Sequence, residues 1–252
     1  MINDWLAYGA SVTGIAHQER QIPCQDAYFI RRKGEYLIAA VCDGAGSSRY
    51  SEQGAQLVAR LFTLRITEWP NIDLLTEKQI AQGTKQLIED IRIQLAEYAE
   101  IKQCALNEYA STLVACWIGD EGGYLFHLGD GIAVVEYSDG TSYVSQPENG
   151  EYANQTWFVT SENWEAHLRV IPLNKPVKQV ILMSDGVQPF AMNKACDALY
   201  EPFITPVIRY LKTVSEDCGS EALAGTLADP RTHSITGDDK TLVICIRDET
   251  LW

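Results

Sequence analysis

The 252-residue sequence is poor in positive charge and contains no long apolar run. Lys and Arg number 20 against 34 Asp and Glu, so the formal net charge is −14, and such a field repels a polyphosphate backbone. No apolar stretch approaches the roughly 20 residues that cross a bilayer. The first Lys or Arg is Arg20, so the N-terminus lacks the positively charged start that is typical of a signal peptide. We therefore expect a cytoplasmic protein that binds neither nucleic acid nor membrane.

Cysteine-based and nucleotide-binding motifs are also missing. The seven cysteines are odd in number, include no C-x-x-C, and lie mostly within apolar runs, as Cys42 does. Buried free thiols in a reducing compartment explain this better than a disulfide framework. Six residues separate Cys42 from Arg49, whereas a cysteine phosphatase loop has five between its Cys and Arg. The sequence has no Walker-type G-x4-G-K loop, and Gly44 and Gly46 are not followed by the third glycine of a dinucleotide-binding loop.

The sequence predicts one continuous α+β domain over residues 1–252. There is no repeat, low-complexity tract or linker rich in Pro, Gly or Ser, and 46% hydrophobic residues suffice for a core. Apolar residues recur at helical spacing over 51–68, again after the capping-box residue Thr76, and between about 195 and 227. Alternating or buried patterns predict strands at 5–14, 26–31, 35–42, 111–118, 123–128, 132–137, 141–145, 156–160, 177–184 and 241–247. Several connections are too short for the crossovers of a parallel sheet, so we expect layered antiparallel sheets covered by helices.

One small pattern recurs where predicted strands end. Asp43, Asp130 and Asp185 are each followed by Gly at the end of an apolar run, and Asp238-Asp239 precedes the last strand. Each alone is a common turn or cap, and Asp139-Gly140 is interpreted as such a turn. Together the terminal carboxylates can converge and repel one another unless cations are present. Oxygen ligands without accompanying His or Cys suit Mg²⁺ or Mn²⁺, which leads to the hypothesis of a binuclear site.

These motifs resemble, in their order, those of the PP2C-type metal-dependent serine/threonine phosphatases, in a compact bacterial version. The matching segments are Asp43-Gly44-Ala45-Gly46, Ser111-Thr112-Leu113, Gly129-Asp130-Gly131, Ser184-Asp185-Gly186 and Asp238-Asp239-Lys240-Thr241, with His17 and Pro23-Cys24-Gln25-Asp26 near the start. The resemblance implies a four-layer α-β-β-α sandwich, with two central antiparallel sheets and metals held at one end.

The resemblance also implies a role for each matching residue. Asp43 would bridge two Mn²⁺ or Mg²⁺ ions, one of them also bound by the Gly44 carbonyl, with Asp185 and Asp238 completing the first site. Asp26 would act through water, Asp130 would hold a third ion together with Asp185, and Gln25 and Asp239 would lie behind the ligands. A hydroxide between two ions would attack the phosphoryl group directly, without a phospho-enzyme.

Three departures from the family pattern are visible. Ala45 occupies the position at which many eukaryotic members have the His proposed to protonate the leaving group, so water or another group must supply that proton. The phosphate-binding Arg falls on Gln21, which leaves Arg20 or Arg49 as substitutes, while His17 either touches phosphate or orders the first loop. Asp185 follows Asp130 by only 55 residues, too few for a complete flap subdomain, so other loops, including 146–156, are expected to select the substrate.

The sequence leads us to expect a monomeric protein phosphatase acting on phosphorylated Ser or Thr, with a phosphoprotein substrate and an opposing Ser/Thr kinase as partners. Two alternatives stay open. A catalytically silent relative would keep the fold as a binding or regulatory module, and a metal-dependent phosphatase of a small phosphorylated molecule would use the same ions. Retention of Asp43, Asp185 and Asp238 together argues against the silent relative.

Overall fold

Two five-stranded antiparallel sheets form the centre of the structure, a computed structural model that describes residues 5–147 and 156–248. The strands are β1 (Trp5–Val12), β2 (Asp26–Lys33), β3 (Tyr36–Asp43), β4 (Leu113–Ile118), β5 (Gly123–Leu128), β6 (Ile132–Tyr137), β7 (Ser142–Ser145), β8 (Arg169–Leu173), β9 (Val177–Met183) and β10 (Lys240–Arg247). The first sheet has the order β1-β10-β9-β6-β7 and the second the order β2-β3-β4-β5-β8. All the strand pairs are antiparallel, which confirms the predicted sheet type.

Helices cover the outer face of each sheet. They are α1 (Ile15–Glu19), α2 (Ser51–Ile66), α3 (Glu77–Ile101), α4 (Trp164–His167), α5 (Gln188–Ala191), α6 (Glu201–Leu211) and α7 (Glu216–Leu227). The capping box predicted at Thr76 is confirmed, since its hydroxyl accepts from the Gln79 N–H at 3.3 Å and its own N–H donates to the Gln79 side chain at 2.9 Å. Within residues 5–147 and 156–248, no helix has both the length and the apolar character that a membrane crossing requires.

The hydrophobic core is divided into three layers by the two sheets. Between the sheets, Val41 and Leu125 of the second sheet pack in one buried cluster with Leu182 and Val243 of the first. A second cluster joins α2 and α3 to the outer face of the second sheet, and a third joins α6 and α7 to the outer face of the first. The order helix, sheet, sheet, helix confirms the predicted four-layer α+β sandwich.

Three segments differ from the sequence-based expectation. The strand predicted at 156–160 is wrong, because these residues form an irregular segment and a turn. The strand β8 was not predicted, because Pro172 interrupts its β-strand pattern. The sheet tolerates this proline because β8 lies at an edge, where Pro172 need not donate a hydrogen bond to a further strand. The helical region predicted at 195–227 begins only at Glu201 and is divided into α6 and α7.

Packing of α2 on the second sheet can be tested at Phe62. Its fully buried ring packs edge-to-face on Phe126 with centroids 5.1 Å apart. We expect Phe62→Ala to lower the free energy of unfolding by about 3–5 kcal/mol, because it leaves a cavity at the helix–sheet contact. Chemical denaturation measures this, with exposed Arg60→Ala on the same helix as a control expected to change stability by no more than about 0.5 kcal/mol. A loss below about 1 kcal/mol for Phe62→Ala would contradict this packing.

Candidate active site

The strand ends bring the recurrent aspartates to one edge of the sandwich. Asp43 is the last residue of β3 and pairs in register with Asp26, the first residue of β2. Asp185 follows the end of β9, and Asp238 precedes the start of β10, the strand paired with β9. These strand termini lie near one another at one edge of the packed sheets. The carboxylates at or beside the termini therefore converge.

A pocket of about 450 Å³ opens at this edge. Its acidic lining consists of Asp43, Asp130, Asp185, Asp238 and Asp239, and its other lining residues include His17, Arg20, Gln25, Gly44, Thr112 and Thr156. Asp238 is exposed at the rim, whereas Asp43, Asp130 and Asp185 are half-buried. The structure therefore collects in one pocket most of the site residues expected from the sequence.

Two glycines let the backbone pack closely behind these carboxylates. A Cβ at Gly186 would lie 1.9 Å from the Asp239 carbonyl oxygen, so the turn after Asp185 can rest against the start of β10 only without a side chain. A Cβ at Gly44 would lie 2.6 Å from the Gln25 carbonyl oxygen. Gly at these positions is a geometric requirement of the site.

Crowding of carboxylates perturbs their protonation. Burial, followed by the charges of Asp26 and Asp185, raises the pKa of Asp43 well above its usual range. Burial, then Asp130 and Asp238, raises the pKa of Asp185 to about 6, even though a side-chain hydrogen bond with Asp43 opposes the rise. The carboxylates therefore lie close enough to repel one another, and bound divalent cations would relieve that repulsion.

Two carboxylate oxygens are suited to a cation because nothing in the described protein satisfies them. Asp130 Oδ1 and Asp185 Oδ1 are buried without a hydrogen-bond partner, while Asp130 Oδ2 accepts from the Thr156 hydroxyl at 2.6 Å. A buried, unpaired carboxylate oxygen is costly unless a cation or water binds it. As the side chains stand, no three His, Cys, Asp or Glu of the described residues close into a metal-binding group. The donor chemistry nevertheless fits hard cations such as Mg²⁺ and Mn²⁺.

Asp26 lies behind the pocket rather than in its lining. Its buried Oδ2 accepts from the Ser184 hydroxyl at 2.7 Å. Burial raises the pKa of Asp26 to about 7, although hydrogen bonds from Ser184 and Thr241 lower it. Asp26 is thereby fixed between the two sheets, since it begins β2 and its partners belong to the ends of β9 and β10.

Asp239 accepts three hydrogen bonds from the opening segment of the chain. Its Oδ1 accepts from the Gly14 N–H at 2.7 Å, and its Oδ2 accepts from the Gln25 N–H at 2.6 Å and from His17 Nδ1 at 2.9 Å. Only 2% of Asp239 is exposed. The carboxylate thus holds helix α1 and the segment before β2 against the start of β10.

The candidate phosphate-binding residues are separated by the structure. Arg20 lines the pocket and is anchored by its Nε, which donates to the Ala16 carbonyl at 2.9 Å. Arg49 does not line it, because its exposed guanidinium lies over the Tyr50 ring, 5.2 Å from the centroid, so its expected phosphate contact is not supported. His17 lines the pocket and at the same time orders the first loop through Asp239.

Several residues of the site had no role predicted from the sequence. The Thr112 hydroxyl accepts from the Asp43 N–H at 3.0 Å, and Thr156 fixes Asp130. Lys240 is fully buried beside the acidic residues, where desolvation lowers its pKa while Asp239 and Asp238 favour the charged form. The position of Lys240 directly after two acidic residues was the one available signal. The loop 146–156, expected to select substrates, lies largely outside the described residues.

The raised carboxylate pKa values predict an unusual pH dependence of stability after chelator treatment. Asp26 and Asp185 keep their protons to about pH 7 and pH 6 in the folded protein but lose them near pH 4 when unfolded. The folded state therefore binds more protons between these limits, and stability falls as pH rises from 5 to 7.5. We expect the Tm without metal to fall over this window, by about 2–4 °C per kcal/mol lost.

Added Mn²⁺ should restore most stability at the alkaline end, where it no longer competes with protons. Asp185→Asn should flatten the profile of the chelated protein, while Asp139→Asn, which changes an exposed turn, should leave its slope unchanged. A Tm that is constant or rises with pH across the window would contradict the carboxylate assignment. Scanning calorimetry over a pH series provides the measurement.

Comparison with known proteins agrees with this geometry. The family model for protein phosphatase 2C matches residues 13–228. Serine/threonine-protein phosphatase 3 of Escherichia coli (strain K12) is 29% identical over 259 residues, covering 96% of this chain and 98% of that protein.

Two solved structures share the fold over nearly the whole chain. Serine/threonine phosphatase Stp1 from Staphylococcus aureus superposes with a TM-score of 0.62 at 18% identity, covering 95% of this chain and 94% of that one. RsbX in complex with magnesium superposes with a TM-score of 0.58 at 13% identity, covering 96% and 94%. Because the family model spans most of the sequence, the chain belongs to the protein phosphatase 2C family of phosphoprotein phosphatases.

Proposed function

We propose that this protein removes phosphate from Ser or Thr side chains of a phosphoprotein, with two Mn²⁺ or Mg²⁺ ions in the acidic pocket. The observation that carries the proposal is the convergence of Asp43, Asp185 and Asp238 on one pocket that also contains the unpaired oxygens of Asp130 and Asp185. Family membership and the name of the Escherichia coli relative support the same reaction class. The magnesium named in the RsbX structure supports the choice of cation.

The family resemblance implies the ligand roles, and the positions of the side chains support them. Asp43, at the end of β3, lines the same pocket as Gly44 and Asp185, where it would contact both ions and the Gly44 carbonyl would hold one of them. Asp185 and exposed Asp238 would complete the first site. Asp130 would join Asp185 at a third, weaker ion through its free Oδ1. Buried Asp26 would act through water.

When bound, the divalent ions lower the pKa of a coordinated water and neutralise charge on the phosphoryl group. The protein holds the carboxylates that would bind them through hydrogen bonds: the Asp43 N–H donates to the Thr112 hydroxyl, and the Thr156 hydroxyl donates to Asp130. No nucleophilic side chain is required, and the fully buried Cys42 thiol has a pKa raised far above its usual range, mainly by desolvation. We therefore propose direct attack by water without a phospho-enzyme.

The two alternatives differ in what they need from the pocket. A silent relative would gain nothing from half-buried carboxylates that repel one another, which disfavours that interpretation. A phosphatase of small molecules would need an enclosed specificity pocket, whereas the exposed Asp238 and the open edge of the sandwich suit a protein surface. Assays with a phosphopeptide panel beside sugar and nucleotide phosphates distinguish the two. We further propose a cytoplasmic, monomeric, single-domain enzyme opposed by a Ser/Thr kinase.

Loss of a ligand carboxylate is the direct test of the metal-dependent reaction. We expect Asp185→Asn to lower Mn²⁺-stimulated kcat/KM for p-nitrophenyl phosphate about 100-fold or more, because one ligand contributes several kcal/mol to stabilising the transition state. Asp139→Asn, at an exposed Asp-Gly turn held by Lys175, is the matched control and should retain activity. Wild-type protein without Mn²⁺- or Mg²⁺-stimulated turnover, or equal activity in Asp185→Asn, would refute the proposal.

Arg20 is the proposed phosphate-binding residue, because it is the arginine in the pocket lining. A charge-assisted hydrogen bond to phosphate contributes roughly 1.5–3 kcal/mol, so Arg20→Ala should raise KM and the inhibition constant of inorganic phosphate about 10-fold or more with little change in kcat. Arg20→Lys should recover part of the affinity through its charge. Arg49→Ala, outside the pocket, serves as the comparison. A larger effect at Arg49 than at Arg20 would overturn the assignment.

A further inference from the structure

Release of a serine or threonine side chain from phosphate needs a proton. The departing oxygen is a poor leaving group as an alkoxide, and a positioned acid accelerates such a step about 10²–10⁴-fold. The residue after Gly44 is Ala45, which has nothing to donate. The proton must therefore come from water or from a donor elsewhere in the pocket, if the proposed function on which this inference rests is correct.

His17 has the geometry of such a donor. The ring belongs to helix α1, is only 8% exposed and lines the pocket. Its Nδ1 lies 2.9 Å from Asp239 Oδ2, and because a carboxylate only accepts, the proton of this bond is on Nδ1. The other nitrogen, Nε2, is on the opposite side of the ring from Asp239. The hydrogen bond thus fixes both the tautomer and the direction of the imidazole.

Asp239 is itself held so that it cannot turn away. Its two oxygens receive the N–H groups of Gly14 and Gln25 in addition to the His17 ring. An Asn at position 239 would have one accepting oxygen and an amide group that faces a donor, so at least one of the three bonds would be lost. The presence of Asp in this position therefore matches the presence of His17.

We propose that His17 is the general acid of the reaction and that Asp239 is its positioning residue. As water attacks phosphorus, the bond between phosphorus and the serine or threonine oxygen breaks, and its electron pair remains on that oxygen. In this step the His17 ring is an imidazolium with a proton on each nitrogen: it transfers the Nε2 proton to this oxygen, which yields the free hydroxyl and a neutral imidazole that keeps its Nδ1 proton on the bond to Asp239. A proton from solvent restores the ring, while the attacking water becomes part of inorganic phosphate, so that atoms and charge balance.

The charged surroundings of the ring are mixed. Asp239 contacts it directly, and Asp238 and Asp43 line the same pocket. Arg20, at the C-terminal side of α1, contributes a positive charge to the lining. His17 therefore shares one pocket with the acidic residues and with the arginine expected to bind phosphate.

The test compares substrates that do and do not need an acid. His17→Asn keeps an N–H close to the position of Nδ1 and so preserves the bond to Asp239, but it cannot transfer a proton. We expect kcat for a phosphoserine peptide to fall about 10²–10⁴-fold, whereas p-nitrophenyl phosphate, whose phenolate leaves as a stable anion, should lose at most a few-fold. Across a series of aryl phosphates, the variant should depend more steeply on leaving-group basicity than the wild type.

Other measurements separate the acid from a structural or binding role. The inhibition constant of inorganic phosphate, the Mn²⁺ affinity from calorimetry and the Tm should stay within about twofold or a few degrees of wild type. His17→Gln provides a second variant if His17→Asn fails to fold, and His233→Gln, outside the pocket lining, is the matched control. Asp239→Asn should show the same substrate discrimination to a smaller degree.

Equal losses on peptide and p-nitrophenyl phosphate, or no loss on the peptide, would overturn the assignment of His17. Weakened phosphate inhibition with unchanged leaving-group dependence would instead make His17 a phosphate contact and would equally reject the acid. Wild-type protein inactive on all these substrates with Mn²⁺ would refute the proposed function itself. The two failures are therefore distinguishable.

Discussion

Repulsion among carboxylates at one edge of the sandwich is the constraint on which the rest of the site depends. Burial of apolar side chains between the sheets brings the ends of β3 and β9 and the start of β10 close together, and an aspartate lies at or beside each of these positions. The protein accepts this unfavourable arrangement at the expense of stability, as the raised pKa values of Asp26 and Asp185 indicate. Such a cost is tolerated where function uses it, and here the proposed cations would convert the repulsion into binding energy.

A frame of hydrogen bonds keeps the carboxylates from relieving that repulsion by moving apart. Ser184 joins Asp26 of the second sheet to the end of β9 in the first, and it also accepts from the Thr241 N–H at 2.9 Å. Asp239 ties α1 to the start of β10 in the same way. These contacts link both sheets directly behind the pocket, so the positions of the proposed ligands are set by the core rather than by surface loops.

Much of the acidic site could be predicted, because short sequence patterns indicate where the strands end and where the aspartates lie. Apolar runs that stop at Asp-Gly located Asp43, Asp130 and Asp185, since turn chemistry and strand periodicity both act over a few residues. Contacts between distant segments could not be predicted in that way. The bonds from Gly14, His17 and Gln25 to Asp239, which join the opening segment to the start of β10, depend on packing that no local pattern reports.

The same distinction explains the errors in secondary structure. Residues 156–160 have the composition of a β-strand, but they form an irregular segment and a turn beside the pocket. There the Thr156 hydroxyl donates a hydrogen bond to Asp130. The edge strand β8 contains Pro172, which a central strand would exclude, and only the sheet order reveals that the position is permissive. Tertiary context therefore decided both segments against their local preference.

Three positions of the site are consistent with one another only when read together. Ala45 leaves the loop after β3 without a proton donor, His17 brings an imidazole to the same pocket from α1, and Asp239 supplies the acceptor that orients it. A site that receives its acid from α1 depends on the contact between α1 and β10 in a way that a site with a donor beside Asp43 does not. Asp239 and His17 therefore act as one unit. Without the Asp239 carboxylate the imidazole would lose its orientation, and without His17 the carboxylate would have no acid to orient.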